Sequence, residues 1–206
     1  MGARTKADRS EVTMGHPAET KNGNFTYGDY LQWTDEERWE LINGEAFAMT
    51  PAPSRNHQAI SIALAAQFYQ QLIGRPCEVY AAPFDVRLPS GPESDEEIDT
   101  VVQPDLVVVC DSSKLDERGC KGAPDLVVEI VSPQSARMDL KRKFALYERN
   151  GVKEYWVVQP AEKVVMIFTL GANGEYGKPA VFSREDRVPV PLLGELTIEL
   201  EPVFGE

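Results

Sequence analysis

Long apolar runs are missing from this 206-residue chain, and that absence excludes a membrane-spanning helix, which needs about 20 consecutive apolar residues. The first two dozen residues are polar and aperiodic. They hold no apolar stretch that could serve as a signal peptide, so the expectation is a disordered leader over residues 1–24. Lys6 stands where a myristoylation signal needs a hydroxyl residue. Cysteine is scarce. Cys77, Cys110 and Cys120 are too few and too unevenly spaced for a zinc site, and an odd count predicts three unpaired packing residues in a reducing compartment. A soluble, cytoplasmic protein without a membrane partner is expected. Positive charge is also in deficit: the formal net charge is −12, which counts against a general phosphate binder. The charges are unevenly placed, however. Acids crowd into Glu93, Asp95, Glu96, Glu97 and Asp99, whereas Arg137, Lys141, Arg142, Lys143, Arg149 and Lys153 face only Asp139 and Glu148 in their stretch. A basic face on an acidic protein is one reading, and a solvated helix surface is the commoner one.

What is present suffices for one core. A chain of this length with 42% hydrophobic residues predicts a single domain over residues 25–206. Trp39 to Phe47 reads as an N-terminal β-hairpin, because Asn43-Gly44 suits the left-handed conformations of a tight turn. From Ser54 to about Ile73, Ile60, Leu64, Phe68 and Leu72 recur every four residues before Gly74 and Pro76, which marks an amphipathic helix and its stop. Strands are expected within Val79–Leu88, at Glu154–Val158 and at Val164–Thr169, with a loop from Pro89 to Asp99 and short strand-like pieces in the tail. A helix is expected from Ser135 to Arg149, opened by Ser135 and closed by Asn150-Gly151.

The chain twice writes Pro-Asp-Leu-Val-Val, at Pro104–Val108 and at Pro124–Val128. Each copy is a β-branched run opened by a proline that a strand's first position tolerates. The second copy continues into Glu129, flanked by Leu126, Val127, Val128, Ile130 and Val131, so a strand carries a carboxylate into a dry interior. Burying it unpaired is costly. Side chains alternate along a strand, so Asp105 and Glu129 converge if the two strands pair. Converging carboxylates share a proton or take a divalent cation with oxygen ligands such as magnesium, and the metal is the favoured reading. The plainer alternatives are a sheet-end Glu paired with a basic residue and a Pro-Asp that merely starts strands well, as Asp125 does.

In the helix after them, Leu140, Phe144 and Tyr147 define an apolar stripe, and Lys143 occupies its remaining position. Lys143 therefore points inward while Lys141 and Arg142 face out; a snorkelling lysine, or one paired with Asp139, is the structural alternative. His57 at a helix start and Glu40 in the first hairpin strand are further candidates, against the ordinary readings of a capping histidine and a solvent-facing glutamate. Tyr155 and Trp156 read as core.

Taken in order, Trp39-Glu40-Leu41-Ile42-Asn43-Gly44-Glu45, His57-Gln58, Gln103-Pro104-Asp105, Pro124 through Pro133, Asp139 with Lys143 and Tyr147, and Gly151-Val152 followed by Glu154-Tyr155-Trp156 resemble the Uma-two family of putative restriction endonucleases, a branch of the PD-(D/E)XK nuclease superfamily. The resemblance implies an α/β (α+β mixed) fold: a restriction-endonuclease-like mixed β-sheet flanked by α-helices, with the acids on two neighbouring central strands. It also implies a metal-dependent endonuclease hydrolysing nucleic-acid phosphodiester bonds, with DNA the leading substrate. Asp105 and Glu129 match the two acids, and with the Ile130 backbone carbonyl they would hold Mg2+, or Mn2+ in its place. The superfamily's usual lysine would stand two residues after Glu129, where this chain has Val131. Some members carry that lysine on the following helix, which assigns Lys143, with Lys141 in reserve. Glu40 resembles an additional upstream acid. A homodimer is expected of nucleases that cut both strands. A non-catalytic nucleic-acid- or protein-binding module, and a hydrolase of small phosphate esters, are the rival readings.

Overall fold

The computed structural model describes residues 24–33, 38–49, 52–133 and 135–205; the leader expected over residues 1–24 lies, but for Asn24, outside them. A one-turn helix α1 (Tyr27–Tyr30) leads to the hairpin of β1 (Trp39–Ile42) and β2 (Glu45–Ala48). Asn43 and Gly44 turn it with φ of 52° and 76°, the left-handed pair that Asn-Gly adopts most easily. Helix α2 (Arg55–Leu72) follows, its first turn capped by the Ser54 hydroxyl, which accepts from the His57 N–H. Next come β3 (Glu78–Ala81), β4 (Val86–Arg87), β5 (Val101–Val102), β6 (Leu106–Val109), β7 (Leu115–Asp116), β8 (Gly119–Lys121) and β9 (Leu126–Ile130). A π-helical turn over Met138–Lys143 runs into α3 (Phe144–Asn150), which Gly151 closes at φ 80°. The chain ends with β10 (Glu154–Gln159), β11 (Val164–Thr169), β12 (Ala180–Ser183), β13 (Arg187–Val190), β14 (Leu196–Glu199) and the short α4 (Glu201–Phe204).

The central sheet is mixed. Its order is β12-β11-β10-β9-β6-β3, parallel between β9 and β10 and antiparallel elsewhere. Period-two alternation gives β6 and β9 two apolar faces. Leu106, Val108, Leu126 and Val128 pack with the Ile60, Leu64, Phe68 and Leu72 ridge of α2 and with the C-terminal strands. Val107, Val109 and Val127 turn the other way, to Leu146 and Tyr147 of α3 and to a second sheet ordered β2-β1-β5-β4-β8-β7. The fold is thus the restriction-endonuclease-like mixed sheet with flanking helices that the motif order implied. Among the described residues no helix is long and apolar enough to cross a membrane.

Two expectations are corrected. Leu140 is 41% exposed rather than part of the buried stripe, because hydrogen bonds in a π-turn span one residue more than in an α-helix and shift the phase of the following face. Asp139, Lys143, Leu146 and Tyr147 point inward instead. The cysteines are not all free either. The antiparallel register pairs Glu78 with Val109, so the next cross-strand neighbours are Cys77 and Cys110, and these form a disulfide. The cysteine argument for a reducing compartment falls with it. Cys120 stays free and buried, and burial pushes its thiol up to about 11.

Candidate active site

Strands β6 and β9 pair through Leu106 with Val128 and Val107 with Val127, so one further step of that register sets Asp105 opposite Glu129. The Asp105 carboxylate closes on the neighbouring strand: its Oδ2 accepts the Ile130 N–H at 2.7 Å. His57, brought from the first turn of α2, places Nε2 3.2 Å from the same carboxylate. Glu129 turns its carboxylate toward the helix. There its Oε1 accepts from Lys143 Nζ at 3.0 Å and from the Tyr147 hydroxyl at 2.7 Å. Lys143 also reaches Glu40 Oε1 at 2.8 Å and lies 3.9 Å from Asp139 Oδ1. Glu40 is itself fixed by the Gln103 backbone N–H at 2.8 Å. A glutamate that read as solvent-facing on an isolated hairpin is only 4% exposed, because β1 is an interior strand of the second sheet.

Glu40, Gln103, Asp105, Glu129, Asp139 and Lys143 line one cleft of about 640 Å³ that also contains Ile130, His57 and Arg38. Its charges do not balance. Glu40, Asp105, Glu129 and Asp139 are four carboxylates, whereas Lys143 is the one ammonium among them and Arg38 turns its Nε to the Gln103 side-chain oxygen at 2.9 Å. Burial pushes the Glu129 carboxyl well above the usual carboxylate range, against the pull of Lys143, and lifts Asp139 to about 6. Burial alone would lower the Lys143 ammonium, but Glu129, Glu40 and Asp139 outweigh it and hold it well above its ordinary value. His57 behaves likewise: burial lowers it, and the hydrogen bond and charge of Asp105 more than reverse the effect. One ammonium among three buried acids leaves surplus negative charge, and burial favours the protonated form at Glu129 and Asp139.

Among the described residues no three His, Cys, Asp or Glu side chains form a ready-made metal-holding group. Magnesium does not require one. It commonly takes one or two carboxylates and completes its shell with water and substrate phosphate, so the hard oxygens of Asp105 and Glu129, in a cleft with surplus negative charge, fit it.

The family model described as "putative restriction endonuclease", Uma2, matches residues 27–201. The chain belongs to the Uma2 family. A Synechocystis sp. protein described as uncharacterized is 27% identical over 151 residues, covering 72% of this chain and 75% of its own. A crystal structure of a "putative nuclease belonging to DUF820" from Anabaena variabilis superposes with TM-score 0.67 at 21% identity, covering 87% of this chain and 97% of its own. That likeness shows the shared fold, and the Uma2 assignment supports a nuclease.

In this Uma2 member the structure brings Glu40, Glu129 and Lys143 into direct contact and sets Asp105 beside Ile130 on the same cleft. Lys141, the reserve lysine, is exposed. Asp125 has a scaffold role, accepting from the Cys110 N–H and from Lys153 at 2.7 Å each. Sequence reasoning passed over three contributors. Asp139 read as a helix neighbour of Lys143, Tyr147 as part of the apolar stripe, and both, like Gln103, as motif positions without a role of their own. Spacing held a signal for the first two, since Asp139, Lys143 and Tyr147 recur every four residues.

Proposed function

We propose that the cleft is the active site of a magnesium-dependent endonuclease that hydrolyses nucleic-acid phosphodiester bonds, DNA in the first instance. Asp105, Glu129 and the Ile130 backbone carbonyl would hold the ion, with manganese able to substitute. The observation that carries this reading is the Lys143 ammonium, held 3.0 Å from Glu129 and 2.8 Å from Glu40 in the cleft that contains Asp105. When bound, magnesium supplies Lewis-acid stabilisation of charge on a phosphate oxygen and a lowered water pKa. Lys143 orients the attacking water and stabilises negative charge gathering on the phosphoryl oxygens. Glu40 and Asp139 fix the lysine from two other sides, and Tyr147 holds the Glu129 carboxylate at its required angle. His57 performs the same service for Asp105. The lysine missing at Val131 favoured a non-catalytic module, and an ammonium delivered to Glu129 from the next helix supports catalysis instead.

Arg137 and Lys141 are exposed beside the cleft-lining Ser135 and Met138, which suits a phosphate backbone running along that edge. Homodimer formation draws support from α2, whose outward residues Ile62, Tyr69 and Ile73 at its end are 63–70% exposed. The helix carries no acid, and its bases are Arg55 and the His57 that turns to Asp105, so two strongly acidic chains can meet there without carboxylates facing one another. Changing Asp105, Glu129 and Lys143 singly to Ala should abolish magnesium-dependent cleavage of DNA while circular dichroism shows a retained fold. Undiminished cleavage by all three variants rejects the proposal.

A further inference from the structure

A second hollow, of about 470 Å³, shares Gln103 with the cleft as a lining residue. Its walls include Tyr80 and Phe84, whose rings stack with centroids 4.4 Å apart and planes within 8°, together with Asp85 and Arg118. Two links tie it to the candidate active site. The Gln103 backbone N–H holds Glu40, while its side-chain Nε2 donates to Asp85 Oδ1 at 2.8 Å. The Ala82 N–H, two residues from Phe84, donates to the Asp105 carbonyl at 3.1 Å.

Gln103 stands two residues from Asp105, at most about 7 Å of extended chain, which is the scale of one nucleotide step. We propose that this hollow receives the nucleobase next to the scissile phosphate, so that the preferred substrate is a single-stranded or locally unpaired nucleic acid. The inference rests on the nuclease reading above. Asp85, Asp116 and Glu117 outnumber Arg118 in the lining, which argues against a phosphate there and leaves the uncharged part of a nucleotide. Aromatic side chains bind bases through their faces without needing cations, which suits a chain of net charge −12. A base can enter such a hollow only after leaving its stack, and an unpaired base does so at least cost. Asp85 is kept in place by Gln103 and by the hydroxyls of Tyr27 and Tyr30 at 3.3 Å each, so this wall of the hollow is fixed before a base enters.

The test uses the full chain with calcium in place of magnesium, titrated against a short oligonucleotide carrying one 2-aminopurine, whose fluorescence falls on stacking. Quenching by a single strand is expected, with much weaker quenching by the matching duplex; deoxyribose and ribose versions of the single strand identify the preferred sugar. Phe84→Ala should raise the single-strand Kd by about five- to a hundred-fold, with the heat of magnesium binding unchanged in isothermal titration. If Phe84→Ala fails to fold, Phe84→Leu, which keeps apolar bulk and loses the ring, decides the matter. Duplex bound as tightly as single strand, or Phe84 and Tyr80 variants that bind like the wild type, would overturn the inference. Failure of the nuclease reading shows separately, as absent cleavage and absent magnesium heat in the wild-type protein.

Discussion

Replacing Lys143 with Met keeps most of the side-chain volume and deletes one charge, and the structure fixes what that should cost. The ammonium lies 2.8 Å from Glu40, 3.0 Å from Glu129 and 3.9 Å from Asp139, with every partner side chain about 95% buried. Removing one partner of a buried ion pair costs about 3–5 kcal/mol when the other must stay ionised. Carboxylates have an escape, because they can bind a proton. Asp139 shows the size of that effect already: its folded value of about 6 against an ordinary 3.8 is about two units, or roughly 3 kcal/mol. The sign follows from proton counting. An acid whose folded pKa is raised binds more protons when folded, so its contribution to stability falls as pH rises from the unfolded value through the folded one. Without Lys143, whose charge pulls both Asp139 and Glu129 down, that window extends upward. Lys143→Met should therefore cost about 3–5 kcal/mol near about pH 8, roughly 6–20 °C in Tm for a domain of this size, and much less near about pH 5. Thermal unfolding followed by circular dichroism at the two pH values is the assay. A Tm loss equal at both, or absent at both, would refute the charge-balance argument. Adding Glu129→Gln to the variant should recover part of the loss at high pH, since one uncompensated charge is gone.

Tyr147→Phe removes the 2.7 Å hydrogen bond to Glu129 and should weaken manganese binding about 10- to 100-fold in calorimetric titration, with little change in the far-ultraviolet spectrum. Arg87 is fully buried while donating to Asp95 and, through two bonds of 2.6 and 2.7 Å, to Asp116; Arg87→Met should cost about 3 kcal/mol, the low end because both acids keep some solvent, measured by urea denaturation. The proposed homodimer predicts that the wild type sediments as a dimer in sedimentation velocity and that Ile62→Asp with Tyr69→Asp sediments as a monomer.

The legible parts of this fold were those written in local chemistry. Asn43-Gly44 specified its hairpin, the four-residue recurrence of Ile60, Leu64, Phe68 and Leu72 specified α2, and the repeated Pro-Asp phrase brought Asp105 and Glu129 onto neighbouring strands. Lys143 was legible as an inward position, although the stripe around it was misphased at Leu140 because nothing in local periodicity announces a π-turn. Residues whose roles depend on distant partners stayed hidden. Glu40 is buried only because β5 pairs with β1, His57 meets Asp105 across 48 positions, and Cys77 meets Cys110 only through the register of β3 on β6. Arg87, in a strand of two residues, finds its acids in a 3-10 turn and in another short strand.

The π-turn at Met138–Lys143 amounts to one surplus residue accommodated inside a helix. Excising a single position there, Leu140 for instance, would let the segment relax to regular α-geometry with its two halves still nearly in phase. Asp139, Lys143 and Tyr147 would then stand at i, i+3 and i+7, which still share one face, so a chain shortened by one amino acid should keep its core and the ammonium between its acids.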